Sequence, residues 1–163
     1  MQIEANAVVL ATPTHAAAEI VRPIDPAMAE TLAGVYYPAV AEVFVGFPAS
    51  QIGRPLDGFG FLVPERERRR ILGCIWSSSL FDGRAPQGHV ALTAFVGGSR
   101  QPELARLDDA ELRRTVLDEL RSILPATGEP SMVHIVRWER AIPQYTLGYR
   151  SVLTAMERFE QNF

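Results

Sequence analysis

The chain has 163 residues, 47% of them apolar, which is enough to bury an ordinary core and sets an expectation of one domain or slightly more. Its 16 basic residues are outnumbered by 19 acidic ones, giving a formal charge of −3. That balance argues against a nucleic-acid partner, because phosphate binding needs a surplus of cations gathered on one face. A single cysteine, Cys74, excludes a disulfide framework and a Cys-rich metal site. Lying in an apolar run, it reads as a buried small hydrophobe in a reducing compartment.

In chain order, the N-terminal stretch MQIEANAVVLATP carries an acidic residue and an Asn ahead of a short apolar run, unlike the basic-then-apolar order of a secretory signal. No segment approaches the roughly 20 apolar residues that span a bilayer. The expected location is cytoplasmic, at most peripheral to the inner face of a membrane. Residues 7–11 (AVVLA) form a continuous apolar run, as suits a strand covered on both faces in a parallel sheet. Such a strand needs neighbours that the following residues do not offer, and it suggests that Met1 marks a cut within a longer chain.

Residues 14–21 and 26–34 are Ala-rich and opened by turn residues, so short helices are expected there. Residues 40–47, 58–63, 71–78 and 89–96 are strand candidates, and turns such as Asp82-Gly83 and Gly97-Gly98 favour an antiparallel meander. The basic run at 65–70 reads as a solvated hairpin tip, with an anion or membrane-surface contact as its alternative. Asp108 and Glu111 resemble a capping box, followed by Leu112, Val116, Leu117, Leu120, Ile123 and Leu124 at helical spacing. Residues 132–138 alternate as a fifth meander strand, and 150–159 are expected to close the chain as a helix. The fold class expected is α+β, a mostly antiparallel sheet of about five strands packed with helices plus the orphan strand at 7–11.

Few residues carry acid–base or nucleophilic chemistry. His15, His89 and His134 are isolated from one another and from carboxylates at ligand spacing, so no metal is expected. Ser77, Ser78 and Ser79 lack the G-x-S-x-G context of a nucleophile. Gly58-Phe59-Gly60 is not a phosphate loop, because Val63 stands where a third glycine is needed; glycines around a strand aromatic mark a bulge or the close approach of a bulky ligand. Phe59, Leu62, Phe81 and Phe95 recur on successive strands, either as core packing or as the wall of a wide apolar cavity for a large flat ligand. The irregular run WERAIPQYTLGY at 138–149 sets Pro, an amide and a phenol side by side and is a candidate functional loop.

Several stretches resemble protoporphyrinogen oxidases, in the right order: ANAVVLATP (5–13), GFGFLVP (58–64), ILGCIWSSSLFDGRAP (71–86), FVGG (95–98) and RWERAIPQYTLG (137–148). The first is generic to amine-oxidase-like flavoproteins, whereas SSSLF-x-GRAP and AIPQYTLG are specific to this family. The resemblance implies a multi-domain FAD enzyme of roughly three times this length, whose flavin takes hydride from a porphyrinogen and returns electrons to molecular oxygen. It implies that 1–34 end a Rossmann-like FAD-domain segment, that 35–137 form the substrate-binding domain, and that 138–163 return towards the FAD domain. Phe59, Gly60, Leu62, Phe81 and Phe95 then match substrate-facing positions, and Trp138, Ile142, Gln144 and Tyr145 match positions near the cofactor. No catalytic side chain is expected, since the redox chemistry is the cofactor's. The main flavin-binding motifs are not among these residues, so the chain alone is expected to retain no FAD and to be inactive.

Two departures stand beside the motifs, Asp82 where the family often has Pro and Tyr149 where it often has His. The implied substrate is protoporphyrinogen IX, or coproporphyrinogen III in the bacterial variant. A homodimer and a peripheral membrane contact stay open. The competing reading is a stand-alone module that binds a hydrophobic ligand without redox chemistry.

Overall fold

The computed structural model describes residues 3–162. Its elements are, in chain order, α1 (Thr14–Val21), α2 (Pro26–Ala33), β1 (Val40–Pro48), β2 (Gly60–Leu62), β3 (Gly73–Ile75), α3 (Ser77–Leu80), β4 (His89–Gly97), α4 (Asp109–Ile123), β5 (Met132–Trp138) and α5 (Tyr149–Glu160). The chain divides into two compact units, one spanning Tyr37–Ile142 and the other formed by the chain on either side of it.

The Tyr37–Ile142 unit is built on one five-stranded antiparallel sheet of order β2-β3-β4-β1-β5, which gives the α+β class expected. β1 is an interior strand between β4 and β5, as its apolar alternation VAEVFVGFP allows, and Val43, Val45 and Phe47 are at most 1% exposed. Directly paired residues share a sheet face. The side chains of Ala41, Val43, Val45 and Phe47 therefore line up with Leu92, Ala94 and Val96 of β4, with Cys74 of β3, and with Val133 and Ile135 of β5. This covered face joins Leu112, Val116, Leu117, Leu120 and Leu124 of α4 in one core. α4 starts where its cap dictates: the Asp108 carboxylate accepts from the Glu111 N–H at 2.8 Å, satisfying a first-turn donor that has no partner inside the helix.

The tip between β2 and β3 is tied down on one side. Glu119 of α4 accepts from Arg69 Nη1 and from the Arg70 backbone N–H, both at 2.9 Å. The second unit has its own small core, Ala17, Ala18 and Val21 of α1 against Met28, Ala29 and Leu32 of α2, with Ala155, Met156 and Phe159 of α5 packed on it. α2 opens on an Asp25 cap to the Met28 N–H at 2.9 Å, with Pro26 in its first turn.

Residues 7–11 form no strand here, where no described strand pairs with them and Val8 and Val9 are exposed, so the orphan strand is not confirmed. An apolar run only permits a strand, and the ladder has to come from a neighbour. Two further expectations need correction. The sheet is not a simple meander, since β5 pairs with β1 rather than with β4. The strand expected over 71–78 stops at Ile75, and the serines that follow turn into α3.

Candidate functional site

The second face of the sheet carries the candidate site. Pairing places Leu62 of β2, Ile75 of β3, Thr93 and Phe95 of β4, Glu42 and Phe44 of β1, and His134, Val136 and Trp138 of β5 on this face. Leu62 and Trp138 are 87% and 51% exposed, and Glu42, Phe44, Ile75, Phe95 and Val136 are half-buried. A soluble domain exposes single apolar side chains freely, whereas a contiguous apolar surface marks a place of contact. Three residues singled out in the sequence, Leu62, Phe95 and Trp138, therefore share one face. Ile75, Phe44 and Val136 join them and were missed; the alternation of their strands held the signal, but the phase could be chosen only after the pairing was known.

Glycine at position 60 has a reason within the chain itself. Its φ of +146° favours glycine, and a Cβ there would lie 2.1 Å from the Cys74 carbonyl oxygen. Phe59 precedes β2, is exposed, and offers its carbonyl to the Trp76 N–H at 2.9 Å.

Phe81 is set by the serines before it. Ser77 shares a 2.8 Å hydrogen bond with Thr93, Ser78 Oγ accepts from the Ala91 N–H at 3.0 Å, and Ser79 donates to the Leu56 carbonyl at 2.7 Å. Side-chain oxygens thus replace the ladder where β3 ends, and the one-turn helix α3 presents Phe81 to solvent, 57% exposed. The guanidinium of Arg84 lies 5.5 Å from the centre of the Phe81 ring. All three hydroxyls are engaged in hydrogen bonds that hold α3 in place.

The four positions matched to cofactor contact fall in different units. Trp138 and Ile142 belong to the sheet unit, Gln144 and Tyr145 to the other. Trp138, Ile142 and Tyr145 are exposed. In its own unit Gln144 donates its backbone N–H to the Tyr36 carbonyl at 2.9 Å, and Tyr145 meets Tyr149 edge to face at 4.7 Å between ring centres.

Titratable groups are sparse on the open face. Glu42 of β1, His89 at the start of β4 and His134 of β5 share its phase, with the His134 ring 6.1 Å from that of Phe44. Cys74 lies on the covered face, where burial pushes its thiol up to about 12, so it remains protonated and unreactive. No grouping of His, Cys, Asp and Glu suited to a metal occurs among the described residues, and none of their helices is long and apolar enough to cross a membrane.

With this geometry in place, comparison with known proteins is direct. The family described as flavin containing amine oxidoreductase matches residues 1–162. The chloroplastic protoporphyrinogen oxidase of Nicotiana tabacum is 34% identical over 162 residues, covering 94% of this chain and 30% of that protein. The coproporphyrinogen III oxidase of Propionibacterium freudenreichii subsp. freudenreichii is 36% identical over 147 residues, 90% of this chain and 27% of that one. Among solved structures, one from Exiguobacterium sp. 255-15, assigned to protoporphyrinogen oxidase, superposes with a TM-score of 0.70 at 26% identity, covering 90% of this chain and 32% of its own. The chain thus spans about 30% of the length of the curated relatives it matches. Both the motifs and the match across nearly all of its residues say that this chain belongs to the flavin containing amine oxidoreductase family.

Proposed function

We propose that the chain supplies the apolar substrate wall of an FAD-dependent, oxygen-consuming porphyrinogen oxidase, with the open face of the sheet set against the macrocycle. The observation that carries this reading is the convergence of Leu62, Ile75 and Phe95 on one sheet face, at whose β5 edge stands Trp138, the residue assigned to the cofactor. Burial of such a face stabilises a flat apolar ligand by roughly 25 cal/mol per Å² of apolar surface removed from water. Phe59 and Phe81 extend the wall beyond the strands, and Gly60 keeps β2 close against β3. Protoporphyrinogen IX is taken first because several of the similar curated proteins are named for its oxidation. Coproporphyrinogen III is the alternative, because an enzyme named for it is as similar to this chain as the plant oxidases are.

FAD, when bound, supplies the two-electron acceptor. Within the sheet unit this chain fits it at its ring rather than at its phosphates: Trp138 and Ile142 are exposed apolar side chains suited to a flat ring, and no described loop has the glycine pattern of a phosphate cradle. Residues 1–34 and 138–163 are assigned to the flavin side and 35–137 to the substrate side. The role of the wall residues is to bind, orient and exclude water, which agrees with a face poor in acids and bases.

Titration of the 163-residue chain with protoporphyrin IX, read by quenching of the fluorescence of its two tryptophans, Trp76 and Trp138, tests the proposal. Saturable quenching that Phe95→Asp and Leu62→Asp each weaken by about tenfold or more, at unchanged thermal stability, is expected. Binding that survives both substitutions would place the macrocycle elsewhere.

A further inference from the structure

The five strands hold one acidic residue, Glu42 of β1. Pairing sets it in a row that crosses the whole sheet on the open face: Leu62, Gly73, Phe95, Glu42 and Val136, in strand order. Phe95 and Val136 are its direct neighbours on either side, each one strand spacing or about 5 Å away. Along β1 the next residue of the same face is Phe44. Glu42 is half-buried in these apolar surroundings, and it takes part in none of the ion pairs among the described residues. Arg137, the arginine of the strands, belongs to the other phase of β5 and pairs with Asp109, while His134 stands opposite Phe44 rather than opposite Glu42.

A carboxylate in that position imposes a condition on whatever covers the face. On the uncovered face water solvates it, as it does any acid on the open side of an antiparallel sheet. A flat ligand that rests on Phe95 and Val136 lies across Glu42 and takes that water away. Burial of an ionised carboxylate is strongly unfavourable unless hydrogen-bond donors replace the water. The ligand must then carry donors in the middle of its apolar surface rather than at its rim.

We propose that Glu42 accepts hydrogen bonds from the pyrrole N–H groups of a porphyrinogen and so selects the reduced macrocycle over its oxidised product. The proposal rests on the reading of the open face as the macrocycle's wall. In a porphyrinogen the pyrroles are joined by tetrahedral methylene carbons, so each ring can tilt and turn its N–H out of the mean plane towards one face. In a porphyrin the ring is planar and conjugated. Two of its nitrogens keep hydrogens, directed in the plane at the ring centre, and the other two present lone pairs there. A carboxylate beneath the face thus finds donors in the substrate and none in the product. The apolar wall cannot make that distinction, because hydrophobic contact is not directional and both forms have apolar faces. Hydrogen bonds to a charged acceptor are directional and can.

The experiment compares coproporphyrinogen III with coproporphyrin III, which carry the same carboxylate arms and differ in the oxidation state of the ring. Anaerobic calorimetric titration of the 163-residue chain is expected to show the porphyrinogen bound about tenfold more tightly, the scale of one hydrogen bond to a charged group. Glu42→Leu should reduce that preference to about twofold or less, chiefly by weakening the porphyrinogen, without lowering the unfolding temperature. Glu42→Gln, which keeps the shape and loses the charge, should fall between the two. A preference that survives Glu42→Leu overturns the assignment, as does a substitution that tightens both ligands by the same factor. If the wild type binds the two forms equally and Leu62→Asp weakens both, the wall stands and the role of Glu42 falls. If neither form binds, both readings fall together.

Discussion

The two faces of the sheet are made from the same strands and differ by one residue of register, yet they have opposite fates. On β1, Val43, Val45 and Phe47 are at most 1% exposed, while Glu42 and Phe44 between them are half-buried. On β4, Leu92, Ala94 and Val96 are enclosed beneath α4 while Phe95 remains half-open. A half-buried antiparallel sheet is expected to alternate apolar with polar residues. Here the open face is largely apolar as well, so its composition answers to something other than the stability of the sheet. The lesson is that the covered face supplies the folding energy, which leaves the open face as the one the proposal assigns to a ligand.

The contrast can be broken most forcefully from the covered side. Leu120 is fully buried at the centre of the α4 contact, and Leu120→Ala should cost about 2–5 kcal/mol through lost transfer energy and a cavity. Denaturant unfolding checks this, and a loss below about 1 kcal/mol would mean that α4 is not what holds the sheet.

Next in size is an effect of pH. Burial raises the Cys74 thiol from its ordinary 9.0 to about 12, so the folded chain keeps a proton that the unfolded chain releases. Stability present below pH 9 is therefore lost as pH climbs towards 12. Cys74→Ala should flatten that part of the stability profile, and a maleimide should label Cys74 only as fast as the chain opens. Rapid labelling of the native chain would show that this face is not sealed.

The smallest expected effect is on the open face. Leu62→Ser should change stability by no more than about 0.5 kcal/mol, because a side chain that is 87% exposed contributes little to packing. A large loss of stability would mean that Leu62 belongs to the fold's own core and would remove it from the proposed wall.

Much of this was legible locally. The Asp108 cap and the spacing of Leu112, Val116, Leu117 and Leu120 determined α4 within a residue at its start, because capping and helical periodicity act between near neighbours in the chain. The positions of the five strands followed from alternation and turns in the same way, and the family followed from its motifs. Strand order did not, since placing β1 between β4 and β5 depends on pairing residues such as Val43 and Ile135 that are far apart in sequence. Nor did the end of β3, because nothing local says that Ser77 and Ser78 will bond to Thr93 and to the Ala91 N–H and so divert the strand into α3.

The apolar run at 7–11 shows the same limit from the other side. Its composition suits a strand, but a strand exists only where another backbone completes its hydrogen bonds. The site divides likewise. Phe59, Leu62, Phe81, Phe95 and Trp138 were recognisable as residue types in motifs, whereas the sharing of one face by Leu62, Phe95 and Trp138 depended on register. The seat of Glu42 between Phe95 and Val136 depended on the same register. Sequence by itself determined α1, α2, α4 and α5, the approximate positions of β1 to β5 and the family, because those follow from neighbouring residues. Only tertiary structure decided which apolar face stays open and which residues flank the acid on it, because both are set by contacts between residues distant along the chain.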